Sequence, residues 1–386
     1  MALWILTAGT VVQVPVTEEQ LRAAVSADPP QAGAFISLSR FLEKQKRITE
    51  AISVLEQGLT KLPQSSALHE EIAILYAAEG KTLLAVEHFE AALKHNPANA
   101  DLRHNTALAC FELGMEAFES QEFGKATISL ERAAQLEPRL PRLSFGLGLV
   151  YFKKQDPAKA AEQLALAATL EPEDWETHFN LGLALSALAR WPEATAAFRT
   201  AVKLNPQAAA AYLYLGRALH EDNHSEESLQ YFRKSLELEP RLPLAHFHLG
   251  FALKGLARYE EAWPELLKET EINPKYPYSH MELGIIALER GRTEEASRYL
   301  ERTIELDPSV ARAYYHLGKS YFQLGRIPDA VRVLETDVKL AASHMEGHFL
   351  LARAYQRMGK AEEARREFAM YEKLAAVQRG MAREKP

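Results

Sequence analysis

The sequence predicts an all-α, right-handed α-α superhelical solenoid of about ten helix-turn-helix repeats, because three features recur with one period. Proline recurs every 34 residues in two series, and the last proline of the first series lies 41 residues before the first of the second. A Leu-Gly pair and a small-then-large apolar pair keep the same period. The prolines are Pro29, Pro63 and Pro97, then Pro138, Pro172, Pro206, Pro240, Pro274 and Pro308.

The Leu-Gly pair predicts close contact between two helices in each repeat. It is followed twelve residues later by a small residue and four residues further by a large apolar one. Glycine and alanine let paired helices approach at the short end of the ~8–10 Å range of interaxial distances. The pairs are Leu147-Gly148, Leu181-Gly182, Leu215-Gly216, Leu249-Gly250, Leu283-Gly284 and Leu317-Gly318.

Before the repeats, two short segments are expected. Residues 1–16 are uncharged and apolar, which is typical of either a loosely packed leader or a signal remnant. Thr17 and Gln20 predict a capping box that opens an N-terminal capping helix within 17–31, running to Ala27.

The solenoid is predicted over 32–378, with a tail over 379–386. Its last helix, from Glu362 to Gln378, is charged and is expected to cap the array. The repeats begin near Ala32, Ser66, Ala100, Pro141, Trp175, Ala209, Pro243, Pro277, Ala311 and Met345.

The third repeat carries a seven-residue insertion, which accounts for the irregular proline spacing. Seven residues are nearly two helical turns, so we expect one helix from about Asn99 to Ser120 with its buried face in phase. Both Leu108 and Leu113 fit the packing stripe, which leaves open whether the extra turns lie at the start or the end of this helix. The insertion is either a tolerated change of length or a ridge that interrupts or caps a groove.

Composition excludes several function classes. A net charge of −7 disfavours nucleic acid as a partner, because its phosphates attract a surplus of Lys and Arg. The single cysteine, Cys110, rules out an intrachain disulfide and a four-cysteine zinc site. No apolar run reaches ~18 residues, so no membrane-spanning helix is predicted. We expect no cofactor and no bound metal.

The spacing of Leu181-Gly182, Ala194, Phe198 and Pro206 resembles the tetratricopeptide repeat (TPR), and the resemblance covers 32–378. The chain also resembles the superhelical TPR arrays of O-linked N-acetylglucosamine transferase-type proteins. This resemblance implies a concave wall of first helices that binds polypeptide, in a protein that is not itself an enzyme.

The resemblance also implies which side chains face that wall. In the family, the residue after the first-helix aromatic slot points inward. In seven successive repeats of this sequence, the residues at that position are Phe145, Phe179, Leu213, Phe247, Met281, Tyr315 and Phe349. Residues four positions later share the helix face, and those in the predicted groove are Arg217, Phe251, Lys319 and Arg353. The stripe is mainly apolar and turns basic. Alternatively, several of these rings pack between helices as core.

Two asparagines extend the predicted groove. Asn105 and Asn180 occupy the slot where TPR arrays of glycosyltransferases carry asparagines that hold a peptide backbone. Other residues fill this slot in the remaining repeats, so the sequence predicts no ladder. A clamp for a terminal carboxylate, as in chaperone-binding members, is not favoured either, because Ala210 and Tyr214 stand where basic residues are needed.

Histidines could be mistaken for metal ligands. His220 and His224 fit the H-E-x-x-H pattern of zinc proteases, but the repeat register places His220 at the end of a helix and His224 in a turn. His178, His246, His280 and His348 recur at one slot in four of the repeats, and neighbouring repeats lie ~10 Å or more apart, which is too far for these side chains to share a metal ion. We predict that they are packing residues.

These features predict a scaffold or adaptor for one or more protein or peptide partners, with self-association also possible. The alternative is the substrate-recruiting arm of a glycosyltransferase, or a part of an envelope assembly complex, with catalysis on another chain. The sequence leaves the compartment open between cytoplasm and export.

Overall fold

A computed structural model describes residues 2–7, 10–15 and 17–383, with side chains described over 17–379. Strands β1 (Ala2–Thr7) and β2 (Thr10–Pro15) pair in antiparallel fashion, with Ala2 opposite Pro15 and Thr7 opposite Thr10. The leader expected over 1–16 therefore contains a hairpin, and its identity as a signal remnant stays a prediction. Its residues 1, 8, 9 and 16, and residues 384–386 of the expected tail, lie outside the described residues.

Everything described after residue 17 is helical or connects helices, which confirms the all-α solenoid. Helix α1 (Glu18–Val25) begins at the predicted capping box, whose two hydrogen bonds between Thr17 and Gln20 are both present. Twenty helices follow, which alternate as the first and second helices of the ten predicted repeats, and within each of the two units defined below every helix packs against its sequence neighbours.

The first helices of the pairs are α2 (Ala32–Lys44), α4 (Ser66–Ala78), α6 (Ala100–Glu119), α8 (Leu143–Lys153), α10 (Trp175–Ala187), α12 (Ala209–Glu221), α14 (Ala245–Gly255), α16 (Pro277–Glu289), α18 (Ala311–Gln323) and α20 (Met345–Arg357). The second helices are α3 (Ile48–Lys61), α5 (Thr82–His95), α7 (Phe123–Leu136), α9 (Pro157–Leu170), α11 (Trp191–Leu204), α13 (Ser225–Leu238), α15 (Tyr259–Ile272), α17 (Thr293–Leu306), α19 (Ile327–Leu340) and α21 (Ala361–Arg383).

Two first helices begin later than the sequence predicts. We expect repeat starts at Pro141 and Pro243, yet α8 begins at Leu143 and α14 at Ala245. The residue before each helix has a left-handed backbone, with φ of 62° at Arg142 and 67° at Leu244. Carboxylates from the second half of the same repeat accept from these amides, since Arg142 N donates to Glu171 (2.9 Å) and Leu244 N donates to Glu269 (3.0 Å). The helix start is therefore set by a distant cap that replaces the usual N-cap side chain.

Glycine lets the two helices of a pair meet, as the Leu-Gly pattern predicts. A Cβ added to Gly148 would lie 2.5 Å from Cγ of Leu164, and one added to Gly318 would lie 2.5 Å from Cγ of Leu334. Both leucines are completely buried. A side chain at the glycine slot would therefore overlap the core of the pair.

The same contact locates the insertion. Helix α6 spans the range expected for one long helix, with Asn99 and Ser120 as its caps. A Cβ on Gly114 would lie 2.6 Å from Cγ of Leu130, so Gly114 occupies the glycine slot, 34 residues before Gly148. The extra two turns consequently lie at the start of α6.

The chain forms two compact units, Met1–Ala189 and Arg190–Pro386, and each is described by itself. Buried leucine, alanine and phenylalanine side chains fill the spaces within and between the helix pairs of each unit. Among the helices described, none is both long and apolar enough to cross a membrane.

Candidate functional site

The predicted groove residues divide into buried and accessible sets. Four of them are almost fully buried, with exposed fractions of 8% for Phe145, 6% for Leu213, 8% for Phe247 and 3% for Met281. These four side chains therefore pack between helices as core, which is the alternative interpretation of the stripe. The residues that keep substantial exposure are Phe179, Arg217, Phe251, Tyr315, Lys319, Phe349 and Arg353, together with Asn105 and Asn180.

In the second unit, an aromatic cluster lies at the middle of the surface formed by the first helices of the pairs, which we call the first-helix face. The ring of Phe247 meets Tyr276 edge to face at 5.1 Å between centroids and stacks on Phe251 at 5.8 Å. The ring of His220 meets Phe251 at 5.5 Å, and the ammonium of Lys254 lies 4.8 Å from the centre of that ring. Buried Phe247 thus supports half-buried Phe251 from below. The 34-residue slots did not single out Tyr276 or Lys254, because neither lies at the two groove positions.

A buried acid lies beside this cluster. Glu282 is only 1% exposed and forms an ion pair with Lys254, while Arg312 lies 3.7 Å from its other oxygen. His316 is close to the same charges, and burial, followed by the charges of Arg312 and Lys319, lowers its pKa to about 3. One ring nitrogen of His316 is buried and has no hydrogen-bond partner among the residues that the structure describes. This part of the face is therefore rich in positive charge around a neutral imidazole.

In the last helix pairs of the second unit, arginine guanidinium groups lie against aromatic rings. The guanidinium of Arg353 lies 5.6 Å from the Phe322 ring and 6.0 Å from the Phe349 ring. Arg357 lies closer to Phe322, at 4.3 Å. Such stacking orients a guanidinium while its N–H groups stay available to an acceptor. Phe349 and Arg353 are both exposed.

Tyr315 lies between the two clusters of the second unit and is half-buried. Its ring meets His344 at 4.7 Å. A hydrogen bond to buried Asp337, 2.8 Å away, raises the pKa of His344. Tyr315 thus contacts His344 on one side and keeps part of its surface accessible.

In the first unit, fewer predicted groove residues are available. The guanidinium of Arg142 covers the buried ring of Phe145 at 4.3 Å, and half-buried Phe179 lies 6.1 Å from Trp175. The amide of Asn180 donates to the carbonyl of Glu176 in its own helix, at 2.8 Å. That donor is therefore already used within the helix.

The structure confirms the predicted placement of the H-E-x-x-H histidines. His220 lies in the last turn of α12, and His224 is the residue before α13. Asn223 between them has φ of 61°, which interrupts the helix. Within the described residues, no three His, Cys, Asp or Glu side chains are arranged to hold a metal ion.

Two of the four recurring histidines, His246 and His348, hold neighbouring segments together, as expected of packing residues. Nδ1 of His246 lies 2.5 Å from Oε2 of Glu265, and its Nε2 lies 3.1 Å from the carbonyl oxygen of Pro240. His348 repeats this arrangement with a glutamate of α21 and a loop carbonyl. Each imidazole thus joins its own first helix to a second helix and to the loop before the repeat.

Family models of the tetratricopeptide repeat match residues 71–114, 111–176, 179–245 and 281–343, and another such model matches residues 345–369. A protein of Sinorhizobium fredii (strain NBRC 101917 / NGR234), the uncharacterized protein y4yS, is 34% identical over 92 residues. That alignment covers 24% of this chain and 50% of y4yS, so it spans half the length of the relative.

One solved structure shows the same architecture over most of the chain. The Cut9–Hcn1 hetero-tetramer of APC/C aligns over 93% of this chain and 90% of its own, with 12% identity and a TM-score of 0.50. YrrB, described as a TPR protein with an unusual peptide-binding site, aligns over 49% of this chain and 97% of its own, with 25% identity and a TM-score of 0.42. The first of these likenesses shows the fold alone.

The residues matched by the family models cover more than half of the sequence and fall on the helix pairs described above. The glycine contacts and the repeated histidine and proline positions keep the period of those pairs. The chain therefore belongs to the tetratricopeptide repeat family.

Proposed function

We propose that this chain is a protein-interaction scaffold that holds partner polypeptides against the first helices of its pairs, chiefly in the second unit. The observation that carries the proposal is the alternation of accessible rings and cations there. Phe251, Tyr315 and Phe349 each retain exposed surface, and Arg217, Lys319 and Arg353 occupy the positions four residues after the inward slot.

This surface suits a partner segment that presents both apolar and acidic side chains. Aromatic rings bind apolar groups at a small cost in side-chain entropy, and arginines that stack on rings present a planar fork to carboxylates. The buried residues beneath them, such as Phe247, hold the rings in place. Fixed rings lower the ordering cost of binding. In this proposal the chain binds and any chemistry belongs to a partner, so a recruiting arm for an enzyme on another chain would use the same face.

The first prediction is that the double substitution Phe251→Ala and Phe349→Ala weakens peptide binding at least about tenfold, because both rings lose their contact area. Peptides would be selected from a random phage-displayed library on the intact protein, and their dissociation constants measured by fluorescence anisotropy. Far-ultraviolet circular dichroism should be unchanged, since neither ring is in the fully buried set.

A matched control replaces exposed apolar residues of second helices, Leu166→Ala with Leu340→Ala. The control should bind the selected peptides as the parent does. If the Phe251 and Phe349 variant keeps full affinity, or if cross-linking places the peptides on second helices, partner binding by this face is refuted.

A further inference from the structure

A cleft lies beside the start of α6, the helix that carries the seven-residue insertion. Two adjoining concavities, of about 640 and about 630 Å³, lie between the last turns of α5, the first turns of α6 and the end of α7. Arg103 and Leu136 line both of them. We call this surface the basic cleft, and its cations are Lys94, Arg103, Arg132 and Arg139.

Helix α6 forms one wall of the cleft. Its first part packs on the preceding pair through Leu102, which is completely buried. The later part pairs with α7 at Gly114 and Leu130. Helix α6 therefore contacts both the preceding helix pair and its own partner helix along its length.

One ion pair spans the gap between these second helices. Nε of Arg132 in α7 lies 2.6 Å from one oxygen of Glu90 in α5, and its second donor lies 2.8 Å from the other oxygen. This two-point contact has the geometry of a stable arginine–carboxylate pair. It holds the floor of the cleft in place, and Glu90 neutralises the charge of Arg132 within the fold.

The remaining cations of the cleft are uncommitted. Glu137, the other acid of the lining, lies 2.6 Å from Nδ1 of His104. The side chains of Lys94, Arg103 and Arg139 are exposed, and none of them forms a hydrogen bond or ion pair with another described residue. With His104 neutral, the four cations and two acids leave a net charge of +2 on the cleft. The whole chain, by contrast, carries −7.

We propose that the basic cleft is a second binding site, which takes an acidic segment of a partner polypeptide. Carboxylates of the segment pair with Lys94, Arg103 and Arg139, while an apolar side chain packs on Leu136 and its neighbours. The three free cations come from three different elements around an open surface, which matches several carboxylates spread along a chain better than one small anion. The two concavities side by side provide room for such a chain.

The second prediction tests this site on the full-length protein carrying Phe251→Ala and Phe349→Ala, which weakens the first-helix face, with a fluorescein-labelled peptide of twelve residues that repeats Glu-Glu-Leu. Anisotropy titrations at low salt should show saturable binding, which weakens as salt rises because exposed charges are screened. The double substitution Arg103→Glu and Arg139→Glu should reduce the affinity at least about tenfold, since it turns two attractive contacts into repulsive ones. Thermal stability should not fall, because neither arginine side chain forms a hydrogen bond or ion pair with another described residue.

The control is Arg298→Glu with Arg366→Glu, which changes the net charge equally at exposed positions of the other unit. It should retain peptide affinity within about twofold. Equal weakening of both variants would mean that only overall charge matters, and unchanged binding by the Arg103 and Arg139 variant would mean that the peptide binds elsewhere. Either result overturns the proposal.

Two further arms separate the possible ligands and sites. Inorganic phosphate and a single-stranded oligonucleotide of equal charge should displace the peptide poorly, and efficient displacement by either would exclude specificity for acidic polypeptide. The Phe251→Ala and Phe349→Ala variant should bind the acidic peptide at this cleft normally. The basic cleft thus stands or falls independently of the first-helix face.

Discussion

At the scale of single residues, the histidines show that the same side chain is placed in different environments by neighbouring slots of one helix. His246 is placed between a carboxylate and a carbonyl oxygen, both of which only accept hydrogen bonds. His248, two residues later, is half-buried and stacks on the ring of Phe232 at 6.1 Å between centroids. Burial, followed by the charges of Arg217 and His220, lowers the pKa of His248 to about 3. The fold therefore excludes a proton from His248.

The third prediction concerns the pH dependence of stability that His248 causes. In the unfolded chain a histidine takes up a proton below about pH 6.5, while folded His248 stays neutral down to about pH 3. Unfolding therefore becomes easier as the pH falls between these values, by at most about 1.4 kcal/mol per pH unit. The preceding repeat has Tyr214 at the same slot, stacked on Phe198 at 6.0 Å.

The test compares the parent with His248→Tyr in urea unfolding at pH 7 and pH 5. The parent should lose about 2 kcal/mol more over this interval than the variant, because tyrosine takes up no proton there. His316, whose pKa is also lowered to about 3, keeps part of the dependence in both proteins. An identical loss in the two proteins would show that His248 is protonated without cost in the folded state.

At the scale of helices, the glycine slot determines how closely the two members of a pair approach. A fourth prediction is that Gly318→Ala destabilises the protein by about 1–3 kcal/mol, because the new Cβ would lie 2.5 Å from buried Leu334. Gly33→Ala is the control, since a Cβ there has no atom within 4 Å. Alanine favours helix over glycine, so the control should be neutral or slightly stabilising.

Urea denaturation followed by circular dichroism measures both changes. Equal effects of the two substitutions would mean that helix propensity, and not close approach, explains the glycines. The caps at Arg142 and Leu244 show another effect at this scale, since a carboxylate from elsewhere in the repeat decides where a first helix begins.

At the scale of the whole molecule, contacts join each helix mainly to its sequence neighbours, so stability is expected to be locally distributed. The fifth prediction is that Gly318→Ala raises amide hydrogen exchange in α18, α19 and the adjoining helices, and leaves α4 and α5 unchanged. Hydrogen exchange followed by mass spectrometry at peptide resolution would report this pattern. Faster exchange throughout both units would instead show that the molecule opens as one cooperative body.

The sequence by itself determined the period, the helix pairs and the small residues between them, because these follow from short-range spacing that every repeat restates. It also placed the α6 caps and kept His220 and His224 off a common helix. The sequence identified the groove as a stripe of residues, but it did not determine which aromatic rings of that stripe are accessible. Burial depends on how the neighbouring pair packs, and the slot itself is the same for buried Phe247 and exposed Phe349.

Only the tertiary structure decided where the extra turns of α6 lie, because Leu108 and Leu113 fit the stripe equally until Gly114 is seen against Leu130. It also brought together Lys94, Arg103 and Arg139, which no periodic pattern links. A repeat pattern specifies contacts that recur, whereas a single insertion creates contacts that occur once. Those contacts depend on distances between elements, which residue spacing along one chain does not encode.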